Sequence, residues 1–500
     1  MEYISTRGGG GSADAGQAII QGIASDGGLF VPREFPEARL EGVLEAAGKG
    51  YPALARHIIA PYLGGFTGEE IRAVVAGAYE EGFDHDDKAP VVRLTGGQHV
   101  LELWHGPTLA FKDMALQMLP HLMRVSRGKA GEKARILILV ATSGDTGKAA
   151  LEGFSGVEGT SIAVFYPHGG VSPAQELQMV THGGDNVFVG AVRGNFDDTQ
   201  TAIKRVFGDA AFAEALSERG VKLSSANSIN WGRLLPQIAY YFWAYASLVG
   251  KGAVSPGREV NFVVPTGNFG NILAGYYAKR MGLPVRRLVC ASNANNVLTD
   301  FFSLGRYDAK RPFYRTISPS MDILISSNLE RLLFEIAQRD AGAVCAWMRA
   351  LKAKGEYSVA PELMREASGL FAAGCCDDAR TKAAIRSVFE AHGYLMDPHT
   401  AVAKRVYDDY LEYTGDGTPA VIVSTASPFK FSADVLDALG DAGGGRDEIA
   451  SARRLGAVSG LEPPDAILGL RDLPVRFSEV LCTDTIKARM LRFADTQPKG

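Results

Sequence analysis

A chain of 500 residues that is 46% hydrophobic is long enough for two or three domains and a large core, and its net charge of -4 lacks the bulk positive charge of a nucleic-acid binder. The five cysteines, Cys290, Cys345, Cys375, Cys376 and Cys482, are odd in number and have no paired metal-ligand spacing, so reduced thiols are expected, with neither a disulfide frame nor a bound metal. The first residues, MEYISTRGGGG, hold no apolar signal core, and the expected address is cytoplasmic.

A segment to about residue 95 leads into the run His105-Gly106-Pro107-Thr108-Leu109-Ala110-Phe111-Lys112-Asp113, where Leu109, Phe111 and Met114 give Lys112 apolar neighbours. Residues 135–141 form an apolar run of strand length, and the turn Ser143-Gly144-Asp145-Thr146-Gly147 after it opens a helix through Ala149, Ala150 and Leu151. The strand 161–166 stops at Pro167. The helix 173–180, the strand 186–192 and the helix 197–207 continue the alternation, with Asp197 and Asp198 where the helix dipole favours negative charge. Residues 234–250 carry no charge, but they include Pro236 and Gln237 and are barely long enough to span a bilayer. Leu234, Ile238, Tyr241, Phe242 and Tyr245 follow helical spacing there, so a buried core helix is expected and no membrane contact.

A second alternation starts at the strand 260–264, passes through Gly267-Asn268-Phe269-Gly270-Asn271 into a helix ending near Met281, and returns in the strand 285–291. A mostly helical stretch, roughly 328–392, precedes a last buried strand, 420–423, and the turn Ser424-Thr425-Ala426; the glycine run 443–445 marks a linker. Such series imply parallel strands with right-handed crossovers. The expected fold class is α/β: two doubly wound lobes with an N-terminal domain, 1–95, and mostly helical insertions. Residues 96–130 and 245–445 make the large lobe, 131–244 the small lobe, and 446–500 a C-terminal tail.

The candidate chemistry lies on Lys112 and three strand-end turns. Gly267 to Asn271 would aim backbone N–H groups at an anion, with the helix dipole adding favourable potential; the alternative is a tight turn that binds nothing. Ser143, Gly144, Asp145 and Thr146 suit a carboxylate at a helix N-terminus, or are an N-cap cluster and no more. Thr425 offers a hydroxyl to a pyridine nitrogen, or caps a helix. A lysine needs burial or nearby cations to become a neutral nucleophile, and a solvated surface charge is its commoner state. Together these parts point to pyridoxal 5′-phosphate held by a lysine, and the two strand-end anion sites to a ligand with a phosphate at one end and a carboxylate at the other.

These segments, with Tyr3 to Arg7, Ser25 to Pro32, Ser225 to Arg233 and Ser318 to Ile323, resemble threonine synthase in its longer branch, in order from about residue 3 to about 435. The resemblance implies a fold-type II pyridoxal-phosphate enzyme that converts O-phospho-L-homoserine and water to L-threonine and phosphate. It implies that Lys112 bonds to the cofactor, that Gly267, Asn268, Phe269, Gly270 and Asn271 hold its phosphate, and that Thr425 meets its ring nitrogen. Ser143 to Thr146 would grip the substrate carboxylate. Ser228, Asn230 and Arg233, and then Ser5, Arg7, Lys148, Ser318, Ser320, Asn328 and Arg331, are candidates for the substrate phosphate or for ordering the cleft; for Arg233 the alternative is a surface salt bridge. A monomer is favoured, with a homodimer left open. Family members often read Ser-Thr-Ala-His-Pro-Ala-Lys-Phe where this chain has Ser424-Thr425-Ala426-Ser427-Pro428-Phe429-Lys430-Phe431, so an imidazole is lost at Ser427 and bulk is added at Phe429. Two rivals stand beside this reading: a phospholyase acting on a shorter phosphorylated amino acid, and a silent paralogue that only binds.

Overall fold

The computed structural model describes residues 1–142, 144–171, 173–441, 445 and 447–497. Ser143 lies outside them, as do Gly443 and Gly444 of the expected linker and the side chain of Asp197. Two twisted sheets organise the chain. The large one runs, in spatial order, Phe371–Cys375, Val285–Ser292, Val260–Pro265, Ala420–Ser424, Gln98–Glu102 and Val91–Thr95. Every neighbouring pair is parallel except the terminal hairpin of Val91–Thr95 with Gln98–Glu102. The small sheet, all parallel, runs Val480–Leu481, Val187–Val192, Thr160–Pro167, Arg135–Ala141 and Val221–Ser224.

The continuous apolar runs became these strands because helices cover both faces; Val260–Pro265 and Thr160–Pro167 are buried at every residue. Parallel strands end on one side of their sheet, so the loops after Glu102, Ala141, Pro265 and Ser424 are the ones that can meet over a cleft. The charge-free stretch forms the helix Trp231–Gly250, apolar and buried around nearly its whole circumference. Among the described residues no helix is long and apolar enough to cross a membrane.

Two features departed from the expected pattern. Phe371–Cys375 is a strand inside the mostly helical stretch; its small residues and half-exposed edge position leave no apolar alternation to read. The segment set apart as a tail supplies elements to both lobes. Val480 and Leu481 pair with Ala191 and Val192 at the edge of the small sheet, and Ile486, Met490 and Phe493 of the helix Ile486–Thr496 enter the core of Leu137, Phe165 and Phe188. Ala452 and Leu455, from the helix Glu448–Ser459, pack with Val435 and Leu436 beside the large sheet.

Candidate active site

The loop that carries Lys112 is fastened at both ends. Asp113, fully buried, accepts the Thr108 backbone N–H at 2.8 Å and the Thr108 hydroxyl at 2.7 Å, and burial pushes its carboxyl up to about 6. The Phe111 N–H donates to the Thr425 carbonyl at 2.8 Å, and Ala110 bridges Ala426. This stitching brings Lys112 and Thr425, more than 300 positions apart, to the end of one strand. Lys112 is 9% exposed, and its Nζ is 3.4 Å from Ser320 Oγ and 3.7 Å from Asp145 Oδ2. Burial lowers its proton affinity first; the Asp145 carboxylate opposes this, and the Lys430 and Arg233 cations add to it.

The turn from Val260–Pro265 into the helix Gly270–Arg280 is held from outside. Phe269 is left-handed, with φ +65°, a conformation that costs a non-glycine residue of order 1 kcal/mol. Its ring is fixed 6.0 Å from Phe302 and 5.9 Å from Phe371. The Asn268 carbonyl accepts both the backbone N–H and the side-chain amide of Asn328 at 3.1 Å, and the Gly267 carbonyl accepts Ser326 Oγ at 2.7 Å. With its carbonyls tied back, the turn leaves the first N–H groups of the helix to face an anion. Asn271 Oδ1 accepts hydroxyls from Tyr240 and Tyr241 at 2.7 and 2.8 Å, whereas its Nδ2 is buried with no partner among the described residues. Close packing limits Gly267, where a Cβ would sit 3.0 Å from the Ser320 carbonyl oxygen; at Gly270 the nearest atom would be Asn328 Nδ2 at 3.4 Å. An unsatisfied buried donor at a helix N-terminus, a lysine whose proton affinity burial lowers, and a Thr425 that is 5% exposed fit the phosphate, aldehyde and ring of pyridoxal phosphate.

Arg233 is buried, donates to the Ala226 carbonyl at 2.7 Å, and leaves Nε with no partner among the described residues. Burial pulls its guanidinium down to about 10, and none of the ion pairs among the described residues includes it. That excludes the surface salt bridge and leaves a buried cation without a carboxylate partner among the described residues, a costly arrangement unless an anion joins it.

Other candidates serve the fold. Asn230 caps the helix Trp231–Gly250 through Oδ1, at 2.8 Å from the Gly232 N–H, and gives Nδ2 to the carbonyls of Ile19 and Ser225. Arg331, fully buried, donates to the Phe30 and Ile229 carbonyls and to Asn328 Oδ1 at 2.6 Å, tying the N-terminal segment to the cleft. Arg7 is engaged by Glu330 at 3.0 and 2.8 Å, Ser5 by Asp26, and Lys148 by Glu152. Asn293 donates to Ser318 Oγ at 3.1 Å, and the Ser228 hydroxyl accepts the Asn328 amide at 3.5 Å.

The small-lobe turn has another character. Gly144, at φ +140°, directs its N–H to Thr142 Oγ1 at 3.0 Å, which also accepts the Gly147 N–H at 2.9 Å. Asp145 opens the helix Asp145–Phe154 and points its carboxylate across the cleft, 2.9 Å from Lys430 Nζ. Although burial works against the charge, Lys430 and Lys112 hold that carboxyl well below the usual range. An anionic side chain repels a substrate carboxylate, and the Gly144 and Gly147 N–H groups are spent on Thr142, so the half-buried Thr146 and the N–H groups of Asp145 and Thr146 are what the described part of the turn can offer one.

Sequence reasoning gave no role to Lys430 or His399. Lys430 lies within the segment that carries Thr425, so proximity to that turn was its available signal. His399 has no local one: its Nδ1 is 2.8 Å from Asp397 Oδ1, its Nε2 accepts the Ser320 N–H at 3.2 Å, and its ring is 4.9 Å from Phe431. Ser427, in place of an imidazole, accepts the Phe429 N–H at 3.3 Å and caps the short turn Pro428–Phe431, while Phe429 is buried with Leu109 and Phe431. A groove of about 620 Å³ lined by Tyr276, Glu335, Arg339 and Phe371 opens at the other end of the helix Gly270–Arg280, away from Lys112. The site is therefore identified by its chemistry and not by cavity size.

Comparison with known proteins agrees in extent. Residues 2–79 match the model for the threonine synthase N terminus, 88–361 the model for pyridoxal-phosphate dependent enzymes, and 400–488 the model for the threonine synthase C-terminal region, which carries the likeness into the last segment. Threonine synthase of Pseudomonas aeruginosa is 43% identical over 86% of this chain and 89% of its own. Human threonine synthase-like 1 is 42% identical over 85% of this chain, which spans 58% of that longer protein. The crystal structure of PLP-bound threonine synthase from Brucella melitensis superposes with a TM-score of 0.88 at 39% identity, covering 99% of both chains. The yeast threonine synthase structure gives 0.88 at 33% identity, again over 99% of both chains.

Proposed function

Since this chain belongs to the threonine synthase family and is a pyridoxal-phosphate-dependent enzyme, we propose that it converts O-phospho-L-homoserine and water to L-threonine and phosphate, with Lys112 as the cofactor-bearing lysine. The observation that carries the substrate assignment is Arg233, a buried guanidinium with no carboxylate among the described residues, facing the same cleft as Lys112. It suits the phosphate of the substrate, and a fork of donors suits phosphate better than a point charge does.

When bound, the cofactor supplies an aldehyde carbon that joins amines and a ring that accepts electrons from the carbon next to them. The chain's own residues do the rest. Gly267 to Asn271 hold the cofactor phosphate through helix N–H groups and the free Asn271 amide. Thr425 gives its hydroxyl to the ring nitrogen; being neutral, it does not favour a protonated ring as a carboxylate would. Lys112, as a neutral amine, would carry the cofactor aldehyde, and its Nζ would be the base for the proton on the substrate Cα. The backbone around Ser143 to Thr146 orients the substrate carboxylate, and Arg233 holds the phosphate that departs from Cγ before water adds at Cβ. A cytoplasmic address and a monomer are favoured, with a homodimer as the alternative state that light scattering on the purified protein distinguishes.

The deciding experiment compares phosphohomoserine with phosphoserine. They differ by one methylene, typically worth about 1–3 kcal/mol or roughly 10- to 200-fold, and shortening the substrate also breaks one of its two end contacts. Discrimination in kcat/KM is expected in the upper part of that range or above it. Phosphate release from phosphoserine without threonine from phosphohomoserine would promote the phospholyase reading instead.

A further inference from the structure

Two ammonium groups share one buried carboxylate in this cleft, and unequally. Lys430 Nζ, its side chain 4% exposed, sits 2.9 Å from Asp145 Oδ1 and 2.8 Å from the Thr108 carbonyl, whereas Lys112 Nζ lies 3.7 Å from Asp145 Oδ2. The first is a charge-assisted hydrogen bond, and the second is beyond hydrogen-bond distance. Lys430 is aimed by its turn: the Lys430 N–H donates to the Ser427 carbonyl at 3.1 Å, and Ser427 caps the turn. Of the remaining charges around Lys112, Arg233, from the long helix, is a further cation that lowers its proton affinity, and Asp113, on the same loop, is an anion that raises it less than Asp145 does while accepting from Thr108 with both oxygens. His399, from the helix Pro398–Thr414, acts on Asp145 from beyond Ser320.

We propose that Lys430 is a positioning residue: by engaging Asp145 at hydrogen-bond distance it withdraws that carboxylate from Lys112, so that the amine which must bond to the cofactor is left without a full counter-charge and enters the reaction neutral. Asp145 belongs to the small lobe, while Lys430 and Thr108 belong to the large one, so the arrangement exists only when the two lobes face each other as they do here. The inference rests on the reading of Lys112 given above.

The test is made on cofactor-free protein, by competitive acylation with acetic anhydride over a pH series and peptide mass mapping of Lys112. An opposite charge within about 4–6 Å moves a pKa by roughly 1–3 units. In Lys430→Met the midpoint for Lys112 labelling should therefore rise by about one unit or more, because Asp145 is released to it, and Lys430→Arg should restore the wild-type midpoint. Asp145→Asn should move it the other way. A folded Lys430→Met protein whose midpoint stays or falls overturns the proposal. If that variant does not fold, an unchanged or raised midpoint in Asp145→Asn does so. Reductive trapping of the cofactor with borohydride separates this from the premise. Cofactor mapped to another lysine removes the site assignment itself, whereas cofactor on Lys112 with unmoved midpoints removes only the role of Lys430.

Discussion

The turns after Pro265 and after Ala141 occupy the same topological position, the junction of a parallel strand with a helix, yet they are built for opposite tasks. Around Gly267 to Asn271 the carbonyls are tied back by Asn328 and Ser326, a left-handed Phe269 is locked by two phenylalanines, and the groups left over are neutral donors, among them the Asn271 amide, which has no partner among the described residues. That is a fixed seat for an anion. Around Gly144 the leading side chain is Asp145, a carboxylate committed to lysines across the cleft. Equivalent strand ends thus separate anchoring from charge adjustment, and the comparison can be broken residue by residue.

The largest effect is expected at Lys112, which lies between the two turns. Lys112→Ala should lower turnover roughly 10³-fold or more and remove covalently trapped cofactor after borohydride reduction, read by intact mass. Arg233→Met should separate binding from folding. A charged hydrogen bond is worth about 1.5–3 kcal/mol, so kcat/KM for the phosphorylated substrate should fall roughly 10- to 150-fold. Urea unfolding of the same protein should show unchanged or higher stability, because an uncompensated buried cation has gone; a large loss of stability would return Arg233 to the fold.

The two glycines give the most direct contrast. At Gly144 the backbone itself is at φ +140° and a Cβ would meet the Gln175 side chain at 2.3 Å, so Gly144→Ala should cost about 1–3 kcal/mol of stability with no ligand present. At Gly270 the protein leaves room for a Cβ, so Gly270→Val should weaken cofactor affinity about tenfold or more in fluorescence titration while folding changes little. Unchanged affinity in folded Gly270→Val would break the comparison.

The smallest effect concerns the start of the Lys112 loop. Burial disfavours a charged His105, but Asp84 at 2.6 Å and Glu102 at 3.0 Å outweigh it and push the imidazole up to about 9. A folded value above the unfolded one, about 6.5, means stability that is fully present below about pH 6.5 and lost as pH rises through about 9. With Asp84 largely exposed, about 1–2 kcal/mol is expected. The difference in urea midpoint between wild type and His105→Gln should shrink across that window; a constant difference would show that His105 is not the titrating group.

Much of this molecule was legible locally. The apolar runs that became Val260–Pro265 and Thr160–Pro167, the helical spacing of Leu234, Ile238 and Tyr241, and the glycine-bearing turns after two strands are properties of contiguous residues, because backbone conformation and face burial repeat over a few positions. Val480–Leu481 and Phe371–Cys375 were not legible, since two residues, or a phenylalanine followed by four small ones, at a sheet edge carry no periodicity and are strands only through the neighbour that pairs with them.

The same division holds in the site. The sequence by itself determined which residues could act: a lysine with apolar neighbours, donors at helix N-termini and a hydroxyl after a strand. Tertiary structure alone decided that Asn230, Arg7 and Arg331 have partners within the chain, that Arg233 has no carboxylate partner among the described residues, and that Lys430 lies closer to Asp145 than Lys112 does. The reason is that desolvation and Coulomb attraction depend on burial and on distances of a few ångströms between groups hundreds of positions apart, and no local pattern carries those distances.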